Sequence, residues 1–388
     1  MNWKDPQHLT YGGVARGDYF YKRNEIVDDI LTNLKGSSVL LAAPRRVGKT
    51  SILQYIEENP VANFKFIFKD VEGAVSAQEF YDRIINMLSS ELTLTEKVQA
   101  WFGRKFEDIK IGGDKWIETN ETNLPKSISA LLKEFDKDDK IETLVLMIDE
   151  LPEVLLHEKV PREEAEAILR SLRDWRINCK KLRFVFSGSL DLHRVVEMLE
   201  IRDVVVNDLA TVKCKPFTRE VAREYIVWAT RGATVQYDDE LKGHLLSKVR
   251  YFVPYFINLM LRRVNEIARE SGKPVITPRD IDAAFERVLE EDDDFFDDWE
   301  DRLKKHMMKD FEFANDILIR IALDGGVTEQ EVYDLAIKHS KDDRCRQNTV
   351  KCLKDCGYVV PDSGKYQFVS PLLAERWKSV YQLSNKKV

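Results

Sequence analysis

The chain has 388 residues, of which 44% are hydrophobic and 33% charged, and its formal net charge is −7. This length suits two or three domains that each bury a core, and the charge argues against a protein that binds nucleic acid through its overall field. The five cysteines are odd in number and lack paired CxxC spacing, which argues against a disulfide framework or a zinc site.

The N-terminal residues MNWKDPQHLTYGG lack the charged and apolar regions of a signal peptide. The longest mostly apolar run, YFVPYFINLML, is too short to span a bilayer. We therefore expect a cytoplasmic protein with no membrane partner.

Residues 1–214 alternate short apolar runs with helical patterns. The strand candidates are nearly continuous hydrophobic runs, as expected when helices cover both faces of a sheet: SVLLAA, FKFIFKDV, TLVLMID and LRFVFSG. The pattern predicts an α/β domain with a parallel sheet.

Residues 215–289 carry apolar side chains at helical spacing and contain no strand candidate. The segment ITPRDIDAAFERVLEE begins with a capping Thr277, Pro278 in the first helical position and Asp280 three residues after the cap. We predict an all-helical lid domain.

Residues 290–303 are predicted to be an acidic linker, because nine of the twelve residues from 290 to 301 are acidic and a block of like charge resists packing. A second interpretation is that Phe295, Phe296 and Trp299 dock on a basic surface of a partner or of the protein itself. The sequence alone leaves the role of this stretch open.

Residues 304–388 read as helix, helix, helix, hairpin and helix. A Thr328/Glu331 capping box opens the second helix, and Asp362-Ser363-Gly364 forms the turn of the hairpin. This order predicts a winged helix-turn-helix domain.

The stretch APRRVGKTS contains a predicted phosphate-binding loop between a strand and a helix. Such loops point backbone N–H groups at phosphate, with a lysine for the β- and γ-phosphates and a hydroxyl for magnesium; here these are Lys49 and Thr50. Ala43 replaces the usual first glycine, but Pro44 holds the residue before it in an extended conformation, so that Ala43 need only continue the strand. The predicted nucleotide-binding residues are Arg23, Pro44, Arg45, Arg46, Val47, Gly48, Lys49, Thr50 and Ser51.

The strand TLVLMID ends in a carboxylate pair, Asp149 and Glu150. Asp149 is predicted to hold Mg²⁺ with Thr50, and Glu150 to orient or deprotonate the attacking water. An Asp-Glu pair without an Asn-Lys-x-Asp motif favours ATP hydrolysis over GTP binding or phosphoryl transfer to a metabolite. Ser189, after the strand LRFVFSG, is the candidate sensor of the γ-phosphate, with Ser187 as the alternative.

These motifs together resemble those of the archaeal-type ATPases, the STAND ATPases and the origin-recognition-like initiators of the AAA+ class. The similarity extends over residues 16–290 and to the predicted winged helix; the segments that carry it are YFYKRNEIVDDIL, APRRVGKTSIL (Walker A), LVLMIDELPEVL (Walker B) and LRSLRDWRINCKKLRFVFSGS. The resemblance implies that Tyr19, Phe20 and Arg23 lie near the base, and that Lys49, Glu150 and Ser189 are catalytic.

The chain departs from this family in two places. Asn207 and Asp208 stand where relatives often carry an arginine, which leaves the source of an arginine finger open, and Pro254 follows RYFV instead of a glycine-rich turn. Arginines on the helix before the sensor strand are candidates for acting across a subunit boundary, or are solvated helix charges: Arg170, Arg173 and Arg176.

The predicted winged helix is mildly basic, since the residues from 301 onward contain sixteen Lys and Arg against thirteen Asp and Glu. A duplex binder needs cations for phosphates and amides or guanidinium groups for base edges. The candidate DNA-binding residues are Arg344, Arg346, Gln347, Asn348, Lys351, Lys354 and Lys365. The alternative is a domain that mediates only protein contacts.

The sequence thus predicts a P-loop ATPase that uses ATP and Mg²⁺ and acts as a slow regulatory switch. Its nucleotide state would control assembly with its own copies, or the presentation of the winged helix to a protein or DNA partner. The alternative is a winged-helix DNA-binding regulator in which the nucleotide is structural and is not turned over.

Overall fold

The computed structural model describes residues 3–10, 12–44, 46–91, 124–137 and 143–385. The α-helices within these ranges are α1 (Asn24–Leu34), α2 (Lys49–Glu58), α3 (Ala77–Glu91), α4 (Leu124–Asp136), α5 (Leu151–Leu155), α6 (Arg162–Asn178), α7 (Leu192–Met198), α8 (Arg219–Ala229), α9 (Asp239–Val249), α10 (Pro254–Ser271), α11 (Pro278–Glu291), α12 (Asp293–Met307), α13 (Phe311–Asp324), α14 (Glu329–Lys338), α15 (Asp343–Asp355) and α16 (Pro371–Asn385). The strands are β1 (Val39–Ala42), β2 (Phe64–Asp70), β3 (Thr143–Asp149), β4 (Leu182–Ser187), β5 (Ala210–Lys213), β6 (Val327–Thr328), β7 (Val359–Asp362) and β8 (Lys365–Phe368).

Internal packing divides the chain into two compact units. We call Lys22–Ala43 with Lys49–Cys214 the sheet unit, and Met1–Tyr21 with Pro44–Gly48 and Lys215–Val388 the helical unit. The predicted phosphate loop is thereby split, because its tip belongs to the helical unit.

The sheet unit contains the predicted parallel sheet, in the order β2-β3-β4-β1-β5. Residues 144–148 of β3 are fully buried, which explains their uninterrupted apolar sequence. In parallel strands the carboxyl ends lie at one edge of the sheet. The last residues of β1, β4 and β3 are Ala42, Ser187 and Asp149, so the sheet brings the predicted site residues to a common edge.

The first α-helix of the helical unit is α8. The predicted cap of α11 is present as a capping box between Thr277 and Asp280. Helix α10 has Pro254 in its first turn and ends at Gly272, whose φ is 66°. Among the described residues, no helix is both long enough and apolar enough to cross a membrane.

The acidic stretch is helical, so the expectation of a linker at 290–303 is wrong. Helix α12 places Phe296, Trp299 and Leu303 at helical spacing, and each is at most 1% exposed. The side chains of Asp297 and Asp301, by contrast, are exposed on this packed helix. Arg376 lies over the Phe296 ring at 5.5 Å and pairs with Asp297 at 3.1 Å, so this stretch docks on the protein's own basic side chain.

The C-terminal segment, residues 304–385, has the element order predicted for a winged helix. Helices α13, α14 and α15 precede a small antiparallel sheet in the order β6-β8-β7. The Thr328/Glu331 capping box is present. Ser363 and Gly364 both have positive φ in the two-residue turn between β7 and β8, as type I′ hairpin turns require.

Candidate nucleotide site

The predicted phosphate loop joins β1 to α2 and has an unusual backbone. Arg46 has a φ of 65° and Gly48 a φ of 94°, both in the left-handed region. Alternation of right- and left-handed residues turns successive N–H groups toward one point and makes an anion-binding concavity. Ala43 has no positive φ, as predicted for a residue that only continues the strand. Arg45 lies outside the described residues.

Lys49 opens α2 and its side chain is shielded, since the residue is 6% exposed. Its Nζ donates to the carbonyl oxygen of Ala43 at 3.2 Å. An ammonium group held at a helix N-terminus and bonded there to a neutral acceptor is suited to bind an anion. Val47 and Ser51, two residues before and two residues after Lys49, are both buried.

Asp149 is 1% exposed and both of its carboxylate oxygens accept hydrogen bonds. The Thr50 hydroxyl donates to Oδ2 at 2.5 Å, and the Ser187 hydroxyl donates to Oδ1. The Glu150 N–H also reaches Oδ1 at 3.1 Å. These contacts bring together the carboxylate and the hydroxyl that the sequence predicted as magnesium ligands.

The donor set fits Mg²⁺, which prefers oxygen ligands. Among the described residues, no group of three or more His, Cys, Asp or Glu side chains could hold a metal ion by itself. Mg²⁺ in nucleotide sites is bound through one or two protein oxygens together with water and substrate phosphates. Thr50 and Asp149 are sufficient for that mode of binding.

Glu150 directly follows β3 and has a φ of 54°, a conformation that is uncommon outside glycine. Its Oε2 accepts the backbone N–H of Ser189 at 2.8 Å. Non-glycine residues in such backbone regions cluster at functional sites. The Glu150 carboxylate is thus held at the end of β4. Its hydrogen bond to the Ser189 N–H would have to break before the carboxylate could turn toward another group.

The two candidate sensor serines have different surroundings. Ser187 contacts the carboxylate of Asp149, whereas the Ser189 hydroxyl donates to Glu153 Oε1 at 3.1 Å. The geometry therefore favours Ser187, the alternative, as the serine next to the predicted metal ligands. The hydrogen bond from Ser189 to Glu150 comes instead from the Ser189 backbone N–H.

Sequence reasoning missed Glu153, which is 7% exposed. It lies in the first turn of α5, three residues after Glu150, and the available signal was an acid within the apolar run LPEVLL. Gly188 completes this corner, because a Cβ there would lie 2.5 Å from Pro152 Cδ. The absence of a side chain at position 188 lets β4 approach α5 and bring Ser189 to the two glutamates.

The residues expected near the base are divided between the units. Tyr19 and Phe20 belong to the helical unit, and Arg23 belongs to the sheet unit. Arg23 Nη1 donates to Cys214 Sγ at 3.3 Å. Burial raises the pKa of the Cys214 thiol, against the opposing effect of Arg23 and Lys49, so the thiol stays protonated near neutral pH.

Two of the candidate arginines of α6, Arg170 and Arg176, are engaged within the sheet unit. Arg176 is bonded to Asp208, with its side chain only 4% exposed, and Arg170 pairs with Glu166 on the same helix. Asp208, which the sequence resemblance placed at the expected arginine position, here binds an arginine of this chain. Arg176 is therefore unsuited to act on a neighbouring subunit.

The candidate DNA-binding residues differ in how far their side chains are already engaged within the protein. Arg346 is half-buried and pairs with Glu329 and Asp343, so its guanidinium is already engaged within the protein. Gln347 donates to Asp343 at 2.7 Å, and Lys354 lies 5.7 Å from the Tyr366 ring centre. Asn348 is half-buried. Four of the candidate DNA-binding residues are exposed cations: Arg344, Lys351, Lys354 and Lys365.

No family model matches the sequence, and no curated protein matches it. Solved structures are similar to the whole chain. The Walker-type ATPase PABY2304 of Pyrococcus abyssi has a TM-score of 0.65 at 17% identity, covering 96% of this chain and 100% of its own. The ORC2 protein of Aeropyrum pernix, in ADPNP–ADP complexes, has a TM-score of 0.56 at 11% identity over 100% of both chains.

This likeness shows the fold and confirms the predicted P-loop α/β core with a helical domain, whereas the winged helix stays a prediction. The chain has the P-loop ATPase fold seen in the Walker-type ATPase of Pyrococcus abyssi and the ORC2 protein of Aeropyrum pernix.

Proposed function

We propose that this protein is a Mg²⁺-dependent regulatory ATPase that turns over slowly. Its nucleotide state controls how the predicted winged helix is presented to a protein or DNA partner, or how copies of the chain assemble. The observation that carries the proposal is the direct hydrogen bond from Thr50, beside Lys49, to Asp149, beside Glu150. It unites the phosphate loop with the carboxylate pair, which are far apart in sequence.

The side chains suggest a role for each residue. Lys49 exchanges the Ala43 carbonyl for phosphate oxygens of ATP, and Thr50 and Asp149 hold the magnesium ion. Bound Mg²⁺ would neutralise charge on the β- and γ-phosphates. Glu150 orients a water molecule toward the γ-phosphorus and accepts a proton from it, giving ADP and phosphate. Ser187 keeps the Asp149 carboxylate in place.

Slow turnover is supported by the position of Glu150. Its carboxylate accepts the Ser189 N–H at 2.8 Å, and its backbone is left-handed. To reach water it must give up a charge-assisted hydrogen bond, and such bonds are stronger than those between neutral groups. A partner that releases this contact would accelerate hydrolysis.

The same contact also favours the alternative function, a DNA-binding regulator with a structural nucleotide. If Glu150 never leaves Ser189, ATP stays bound without turnover, and the exposed cations of the C-terminal segment become the functional surface. The two functions differ in whether Glu150 matters for ATP consumption.

The test measures ATP affinity and ATP turnover, with and without duplex DNA. Lys49→Ala is expected to abolish ATP binding, and Lys35→Ala, on an exposed lysine, to preserve it. Glu150→Gln is expected to keep ATP bound and to lower turnover by about 10²–10⁴-fold, the usual contribution of a general base; Glu163→Gln is the exposed control. ATP binding by Lys49→Ala would refute the site, and unchanged turnover in Glu150→Gln would refute the hydrolytic mechanism.

A further inference from the structure

The tip of the phosphate loop, Pro44–Gly48, packs with the helical unit. Two contacts account for this. The guanidinium carbon of Arg46 lies 4.3 Å from the ring centre of Tyr255, in the first turn of α10. Pro44 faces Gly357, which follows α15: a Cβ at position 357 would lie 3.0 Å from Pro44 Cβ and 2.9 Å from Tyr251 Oη.

The Arg46 contact bears on the shape of the loop. Arg46 has a φ of 65°, which is unfavourable for a residue with a Cβ, so surrounding interactions must favour it. A guanidinium group over an aromatic ring is attracted by the negative face of the ring. Tyr255 thus stabilises the loop in the conformation that turns its N–H groups inward.

The Gly357 contact joins the loop to the C-terminal segment. Gly357 has a φ of 80° and follows α15, which carries most of the candidate DNA-binding residues. With no side chain, it allows the backbone of the C-terminal segment to lie directly against the loop. Any larger residue would push Pro44 or Tyr251 away.

Gly357 itself is firmly held. The next residue, Tyr358, donates its hydroxyl to the Trp299 carbonyl at 2.7 Å, and its ring meets the Trp299 ring edge-on at 5.1 Å. Trp299 stacks on Phe256, which is in edge contact with Tyr251. An aromatic series therefore runs from the C-terminal segment through α12 to the lid residues that border the loop, and it keeps Gly357 in place.

We propose that Tyr255, Tyr251 and Gly357 are positioning residues of the phosphate loop, so that nucleotide binding and the arrangement of the C-terminal segment control each other. This inference rests on the proposed binding of ATP at Lys49. The coupling is reciprocal: if the C-terminal contact changes ATP affinity, ATP changes the free energy of that contact equally.

The first test compares Gly357→Ala with Gly364→Ala in the full chain without nucleotide. Both glycines have a φ of 80°, but a Cβ at 364 meets nothing within 4 Å, so both variants bear the left-handed strain and only one disturbs the loop. We expect amide hydrogen exchange in the loop amides to rise about tenfold in Gly357→Ala and to stay within about twofold in Gly364→Ala. Equal exchange in folded Gly357→Ala and wild type overturns the inference.

Tyr255→Leu provides a second variant should Gly357→Ala not fold, with Tyr333→Leu, on an exposed tyrosine of α14, as its control. We expect loop exchange to rise and ATP affinity to fall about two- to fivefold in Tyr255→Leu, as the loss of a cation–π contact predicts. If Tyr255→Leu changes neither quantity, the positioning role is refuted.

A third measurement tests the reciprocal effect, which a purely structural contact would not show. Saturating ATP is expected to change amide exchange at the end of α15 by about threefold or more in wild type and not in Lys49→Ala. Unchanged exchange with ATP bound overturns mutual control. If wild type binds no ATP, the proposed function fails, whereas loop exchange in the nucleotide-free variants still decides the positioning role.

Discussion

Arg176 donates from Nε and Nη2 to both carboxylate oxygens of Asp208, at 2.8 Å each. The same Nη2 also donates to the carbonyl of Val205 at 2.8 Å, so one guanidinium group joins the end of α6 to the segment before β5. A forked arginine–carboxylate pair fixes orientation as well as distance. This pair ties the helix before the sensor strand to the chain that leads into β5.

Arg176→Gln is expected to lower the free energy of unfolding by about 1.5–3 kcal/mol, the usual range for hydrogen bonds to charged groups. The control is Arg170→Gln, which breaks an exposed pair within one helix turn and is expected to cost less than about 0.5 kcal/mol. Denaturant unfolding of the two variants gives the comparison. Equal losses would mean that the Arg176 pair does not stabilise the fold.

The same pair predicts a pH dependence. Burial alone would raise the pKa of Asp208, but its bonds to Arg176 outweigh this and hold the pKa below its ordinary value. A carboxyl group with a lowered folded-state pKa stabilises the fold above its unfolded pKa of about 3.9, and this contribution is lost as pH falls through the folded-state value. We therefore expect the stability difference between wild type and Asp208→Asn to be constant near neutral pH and to shrink in acid. A difference that grows in acid would contradict this assignment.

Gly188→Ala is expected to destabilise the protein by about 1–3 kcal/mol, as overpacking does. The added methyl group would lie 2.5 Å from Pro152 Cδ and would push α5, with Glu150 at its start, away from Ser189. Gly36→Ala is the matched control, because its Cβ meets nothing within 4 Å and its φ is not left-handed. Thermal unfolding and ATP turnover should both change in the first variant and remain near wild type in the second.

The five cysteines are free thiols and should differ in reactivity. Burial, with Asp136 nearby, raises the pKa of Cys179 to about 12, so almost no thiolate exists at neutral pH. Cys345 is the half-exposed thiol and should be alkylated first in the native protein. Mass spectrometry after brief iodoacetamide treatment, with unfolded protein as the reference, measures the order. Labelling of native Cys179 before Cys345 would show that α4 and α6 open more readily than the structure indicates.

The C-terminal surface can be tested by the salt dependence of duplex DNA binding. Lys351→Gln removes an exposed cation and should reduce the slope of log affinity against log salt by about 0.9, as loss of one phosphate contact predicts. Arg346→Gln should leave this slope unchanged and lower domain stability instead, because Arg346 is paired with Glu329 and Asp343. A reduced slope in Arg346→Gln would show that Arg346 contacts DNA phosphate in spite of these pairs.

Sequence reasoning recovered what local patterns encode. The strands β1, β3 and β4 are mostly apolar and are therefore visible as runs, and the residues that end them meet at one edge because the strands are parallel. The loop was recognisable because Gly48, Lys49 and Thr50 occur at a fixed spacing between a strand and a helix. Capping residues such as Thr277 and Thr328 identified helix starts for the same local reason.

Long-range pairing was not predictable. Arg346 looks like a free surface cation until the fold brings Glu329 beside it, and Arg176 acquires its role only from Asp208. Glu153 was hidden because an acid in an apolar run has no fixed meaning without its partner, Ser189. In α12 the high acidic content hides the helical spacing of Phe296 and Trp299, because a block of like charge usually resists packing.

Helix α12 also restricts how the chain can be divided or recombined. Trp299 has neighbours on both sides, Phe256 in α10 and Tyr358 after α15, so a cut at this helix would strip apolar surface from both fragments. The C-terminal segment is therefore not an interchangeable module on a tether. Grafting it onto another ATPase, or replacing it here, would require α12 and its aromatic neighbours to be transferred together.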